Sequence, residues 1–185
     1  MQITLDNYLK LLSESVLRIT SGVIHDLAND LLCARRERRS VFLCGNGGSA
    51  ANALHWANDL IYGASKGGHG GVRAHALPAN PSVCTCLAND EGYEEVFAAQ
   101  LRVLGSAGDL VIVFSGSGNS PNILKVLDNA RGLGIKSWAI VGFDGGKALS
   151  LADRAIHFAV QDMQIAEDCQ MVLGHAVTGI LANGE

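Results

Sequence analysis

Ser115-Gly116-Ser117-Gly118-Asn119-Ser120 is the stretch whose reading decides the fold. Before it runs Leu110-Val111-Ile112-Val113-Phe114, apolar and rich in β-branched residues, the pattern of a strand buried on both faces. After it, Pro121 opens a segment in which Ile123, Leu124, Val126, Leu127 and Ala130 recur at helical spacing. The six residues are therefore a strand-to-helix turn, with Ser120 at the N-cap and Pro121 at the first helical position. An ordinary capped turn needs fewer hydroxyls than three serines and fewer glycines than two. Hydroxyls and freed amides gathered at the positive end of a helix make a site for a phosphate dianion.

Outward from this turn the same unit recurs. Val41-Phe42-Leu43-Cys44 reads as the first strand, and Gly45-Asn46-Gly47-Gly48-Ser49 as a second glycine-rich turn, opening a helix from Ala50 to Tyr62. The turn is neither GxGxxG nor a P-loop with its lysine, which argues against a nucleotide module. Its glycines let a ligand approach the backbone. Further strands are expected at Ala74–Leu77, Ser82–Leu87, Ser137–Gly142 and Ala155–Val160. Further helices are expected at Tyr93–Leu104, from Pro121 to Arg131, near Ala148–Leu151 and at Gln164–Leu181, with Asn89-Asp90 in a polar turn. Gly63 to Gly71, with five glycines, reads as a mobile loop or lid. Strands alternating with helices give a parallel sheet covered on both faces. Ligands bind such sheets at the carboxyl ends of the strands, where both glycine-rich turns lie.

A long helix is expected from Thr4 to Ala34, with a break or kink at Gly22. Its apolar positions exceed one stripe, so it is read as an oligomerisation segment (residues 1–35) before an α/β core (36–185), within one domain. The chain has 185 residues, 48% hydrophobic and 17% charged, with a net charge of −4, which suits a soluble globular class and argues against nucleic acid as a partner. No apolar run reaches membrane-span length and no signal peptide is evident, so a cytoplasmic protein is expected. The five cysteines form no CxxC pair and read as buried free thiols.

Two helices carry residues capable of chemistry. His55 and Asp59 are four apart and share a face. Glu167 and His175 are eight apart, about two turns, and also share one. Spacing leaves three outcomes open: polar residues facing solvent, an acid–base set, or a metal site.

Taken together, Cys44-Gly45-Asn46-Gly47-Gly48-Ser49, Asn89-Asp90, Ser115-Gly116-Ser117-Gly118-Asn119-Ser120 and Asp144-Gly145-Gly146-Lys147 resemble the sugar isomerase (SIS) domain family, in its phosphoheptose isomerase branch. The resemblance spans nearly the whole chain. It implies a three-layer α/β/α sandwich with a five-stranded parallel sheet, a homotetramer with active sites at subunit interfaces, and interconversion of sedoheptulose 7-phosphate and an aldoheptose phosphate. It places the sugar phosphate on Asn46, Gly47, Ser49, Asn89, Asp90, Ser115, Ser117 and Ser120. One hydroxyl of the family's phosphate loop is missing, because Gly116 stands there. Asp59 matches the family's glutamate base, one methylene shorter, and His175 matches its second acid–base residue. Some members hold zinc at four positions matching His55, Asp59, Glu167 (a glutamine in the family) and His175. Another register would set Gln170 on that glutamine and Thr178 on the histidine; the run Leu173-Gly174-His175 favours the first. The competing function is a non-catalytic SIS protein, a phosphosugar sensor or assembly factor, distinguished by whether Asp59, Glu167 and His175 share one cleft.

Overall fold

A computed structural model describes residues 4–184. Two helices lead, α1 (Leu5–Leu17) and α2 (Ser21–Glu37), followed by β1 (Ser40–Cys44), α3 (Gly48–Ile61), β2 (Arg73–Ala76), α4 (Pro81–Asp90) and α5 (Ala98–Leu104). Then come β3 (Leu110–Ser115), α6 (Pro121–Leu133), β4 (Lys136–Val141), α7 (Ala148–Leu151), β5 (Arg154–His157) and α8 (Met163–Asn183). The five strands form one parallel sheet in the order β2-β1-β3-β4-β5.

The period-2 alternation of strand side chains splits the core into two layers. Val41, Leu43, Ile112, Phe114, Trp138 and Ile140 face the layer closed by α2, α3 and α8. Phe42, Cys44, Val111, Val113, Ala139 and Val141 face the layer closed by α5, α6 and α7. Both faces are dry, which is why these strands read as continuous apolar runs. From β1 the chain crosses to β2 on one side, and β3 lies on the other. The turns after β1 and β3 therefore part at the carboxyl ends of adjacent strands, opening a crevice at the switch point.

Several expected elements differ. The leading helix is two helices, interrupted at Arg18–Thr20, where Thr20 turns extended (φ −72°, ψ 141°); Gly22 lies inside the first turn of α2. Ser82–Leu87 is helix rather than strand: Asn80 Oδ1 accepts the Val83 N–H at 3.3 Å and Pro81 sits at the first helical position. That start signal outweighs the β-branched Val83 and Thr85. Asn89 and Asp90 consequently end α4, and Tyr93–Glu95 is a 3₁₀ turn before α5. The glycine-rich segment after α3 is pinned rather than lid-like. A Cβ at Gly67 would run into the Ala182 carbonyl, and Arg35 donates to the carbonyls of Gly70 (3.4 Å) and Leu181 (3.0 Å). All five cysteines are free, but Cys33 and Cys86 are exposed.

Candidate active site

The crevice between the two turns is a cavity of about 240 Å³ lined by Asn46, Gly47, Gly48, Ser49, Phe114, Ser115, Gly116, Ser117, Ser120, Met163 and Glu167. Ser115 is buried, and its Oγ accepts the Gly118 N–H at 3.0 Å, so the hydroxyl shapes the turn while its proton remains free to donate. Ser117 Oγ accepts the Asn119 N–H at 3.3 Å. Ser120 holds the N-cap position of α6, yet its side chain makes no capping bond, leaving the hydroxyl for a ligand. Gly118 has φ +65° and rests against the Gly145 carbonyl, where a Cβ would not fit. Ala148 donates its N–H to the Gly118 carbonyl (2.9 Å), so the Asp144–Lys147 turn braces the serine turn from below.

Asn46 ties the two turns together. Its Nδ2 donates to Asn122 Oδ1 at 2.9 Å, Asn122 Nδ2 donates back to Asn46 Oδ1 at 2.8 Å, and Tyr93 Oη donates to the same oxygen at 3.0 Å. Ser49 lines the cavity, as expected, with its hydroxyl directed to α8. It is 3% exposed and its hydroxyl donates to Gln170 Oε1 at 3.2 Å, which also accepts from Asn52 (2.9 Å). Asn89 and Asp90 do not line the cavity; Asn89 Nδ2 donates to Asp90 Oδ1 at 2.7 Å on the exposed end of α4.

Helices α3 and α8 lie side by side and run in the same direction, Gly48 beside Glu167 and Trp56 beside Gly174. Farther along them, away from the serine turn, three expected groups converge. His175 Nε2 and His55 Nε2 are 3.2 Å apart, and each lies 3.5 Å from Asp59 Oδ2. Atoms spaced about 3.3 Å apart are what a tetrahedral zinc with bonds of about 2.0–2.1 Å requires, so this donor set fits that ion. Glu167, the expected fourth member, is not part of this group. Eight residues up α8 put it about 12 Å away along the axis. Its carboxylate sits over Gly48 and accepts the Ser49 N–H. Burial pushes the Glu167 carboxyl above its ordinary range, the Ser49 bond opposes this, and neighbouring Asp168 adds to the rise. The other register fails: Gln170 is buried against Ser49 and Asn52, and Thr178 accepts the Trp56 indole N–H at 3.1 Å.

Sequence reasoning missed Met163, which lines the cleft, and Tyr93 and Asn122, which hold Asn46 there. Asn122 follows Pro121 in a helical pattern and Met163 reads as the start of a helix, so only folding onto a neighbouring turn reveals them. A larger cleft, about 1080 Å³, lies between α3, β2, α4 and α5. Its lining is mostly apolar, with Leu54, Ile61, Val103 and Leu104 exposed, and its only titratable groups among the described residues are His75 and the Cys86 thiol.

The SIS domain profile matches residues 6–142. The chain belongs to the SIS domain family. Within the family it falls in the phosphoheptose isomerase branch. It is 40% identical over 174 residues to a phosphoheptose isomerase of Chlorobaculum parvum, covering 92% of this chain and 82% of that one. It is 37% identical over 162 residues to one of Helicobacter pylori, covering 88% and 82%. The structure of a phosphoheptose isomerase from Neisseria gonorrhoeae superposes with a TM-score of 0.87 at 27% identity, covering 95% of this chain and 93% of that one. On that membership this SIS domain is an isomerase, with the sheet and flanking helices that the resemblance implied. Among its described residues no helix is long and apolar enough to cross a membrane.

Proposed function

We propose that the chain is an aldose–ketose isomerase acting on sedoheptulose 7-phosphate and giving D-glycero-D-manno-heptose 7-phosphate. The observation that carries this is the approach of Asp59 and His175 to 3.5 Å from separate helices, in a chain of this branch. A carboxylate and an imidazole in contact suit proton transfer near neutral pH. Of the three residues that separate catalysis from the sensor or assembly-factor reading, Asp59 and His175 meet while Glu167 does not, and the pair is what supports catalysis.

In the mechanism we propose, the serine turn holds the phosphate. Ser115, Ser117 and Ser120 donate hydroxyl protons to its oxygens, and the N-terminus of α6 supplies amide dipoles. Asn46 and Gly47 position the sugar chain beside it. At the carbonyl end, Asp59 removes the proton from C1 of the ketose, giving an enediol, and returns it to C2. His175 gives a proton to the oxygen on C2 and takes one from the oxygen on C1, so charge and protons balance across the pair. His55, Asp59 and His175 are the residues that would hold a zinc ion, and when bound it supplies Lewis-acid stabilisation of negative charge on the sugar oxygens.

We further propose a cytoplasmic homotetramer with these sites at its subunit interfaces. Leu5, Leu9 and Leu17 of the leading helices are 71%, 52% and 80% exposed, and the side chains of His55 and His175 are more than half exposed in the isolated chain. A partner subunit supplies the cover that catalytic groups need to exclude water.

Incubation with sedoheptulose 7-phosphate and detection of the aldose phosphate tests the reading. Conversion that is lost in Asp59→Asn supports it. Absence of conversion across a panel of ketose phosphates, metal supplied, overturns it.

A further inference from the structure

Gly116 leaves a gap in the serine turn, and that gap is filled. A Cβ built at Gly116 would meet the Met163 sulfur well inside contact distance, the Met163 methyl at 2.9 Å and the Phe143 ring at 3.5 Å. Met163 is the first residue of α8, 38% exposed, and lines the cavity beside Gly116 of the serine turn. Phe143, whose ring also faces Gly116, has φ +48°, a conformation rare for a bulky side chain. Two bonds hold it there: its N–H donates to the Val160 carbonyl at 3.0 Å, and its carbonyl accepts from His157 Nε2 at 2.9 Å. Local strain of this kind persists only where the surroundings over-determine it. The cavity thus carries hydroxyls and amides on the serine turn, and on the α8 side a thioether wall at Met163 beside the Glu167 carboxylate.

We propose that Met163 is a specificity-determining residue of this cleft, its thioether contacting the C–H face of a sugar phosphate ester whose phosphate is held by the serines. Free inorganic phosphate has no such face and gains nothing from the wall. Gly116 is required because a side chain there would drive the thioether into the ligand's space. The inference rests on the sugar-phosphate reading above, and deepens it by assigning how the ester is told from the bare anion.

The test measures dissociation constants of the full chain for sedoheptulose 7-phosphate and for inorganic phosphate by calorimetry. Met163→Ala should weaken the sugar phosphate by about fourfold to fifteenfold, the worth of one to two methylenes of apolar contact, and leave inorganic phosphate unchanged. Met163→Leu, which keeps the wall, should stay close to the parent for both. The backbone at Gly116 does not need a positive φ, so Gly116→Ala is compatible with folding. That variant should weaken both ligands, and Gly116→Ala/Met163→Ala should recover inorganic phosphate. If Gly116→Ala proves unstable, the two Met163 variants decide alone. An unchanged ratio of the two affinities in Met163→Ala overturns the inference while leaving the sugar-phosphate reading intact. A parent chain that binds no sugar phosphate overturns both.

Discussion

Asn122→Ala probes the joint between the two ligand-binding turns. Asn122 is 1% exposed and exchanges two amide hydrogen bonds with Asn46, at 2.9 and 2.8 Å. Net contributions of about 0.5–1.5 kcal/mol per bond give a loss of about 1–3 kcal/mol. Asn46 is only half-buried and keeps the Tyr93 hydroxyl, so water can reach its freed Nδ2 and no further desolvation cost is added. For a chain of this size, about 2–4 °C per kcal/mol converts the loss to a melting point lower by about 2–12 °C. Asn122→Asp is the sharper variant. It keeps the acceptor for Asn46 Nδ2 but sets a carboxylate oxygen against Asn46 Oδ1, so it should be no more stable than the alanine variant. Thermal unfolding of both, beside KM for the sugar phosphate, reads stability and turn geometry together. KM should rise in both, because the first turn is no longer fixed relative to the serines. Asn122→Asp as stable as the parent, with unchanged KM, would refute the reasoning.

Ser117→Ala should weaken sugar-phosphate binding by about 1–3 kcal/mol, the range for hydrogen bonds to charged groups, as read by calorimetry. Tyr8 ties α1 to α8 through its hydroxyl on Asp168 (2.7 Å), and burial, then that bond and charge, pushes its pKa up to about 12. The folded chain therefore holds this proton more tightly than the unfolded one, so the tether's stabilisation is full below about pH 10 and fades as pH rises towards 12. The stability difference between parent and Tyr8→Phe should shrink across that window; a constant difference would show that the phenol does not titrate as described. Light scattering should find an oligomer at micromolar concentration, and a stable monomer would remove the interfacial site.

The sheet was legible because β1, β3 and β4 are buried on both faces and punctuated by glycine turns. Their apolar runs admit one architecture. The serine turn was legible for the same reason: its residues are consecutive, so sequence alone places them at one strand end. Edge elements were harder. Ser82–Leu87 carries mixed propensities, and only the Asn80-Pro81 start signal distinguishes helix from strand. His55, Asp59 and His175 shared faces by spacing, but their meeting depends on α3 and α8 running in the same direction, which spacing does not encode. Glu167 stands apart because its carboxylate turns to Gly48 and the Ser49 N–H, about 12 Å along α8 from His175. Ser49 opens α3 and lines the cavity, and its bond to Gln170 on α8, which only the fold reveals, braces the turn. Tyr93, read as the first residue of a helix, instead opens a 3₁₀ turn and holds Asn46 through its hydroxyl.

Proton exchange in deuterated water tests the enediol mechanism most directly. The parent chain, with zinc supplied, is incubated with sedoheptulose 7-phosphate and followed by NMR, beside Asp59→Asn. Proton transfer through Asp59 predicts deuterium at C1 of the ketose and at C2 of the aldose in the parent. It also predicts a rate lower by about 10²–10⁴-fold in the variant. Exchange and turnover at the parental rate in Asp59→Asn would contradict it.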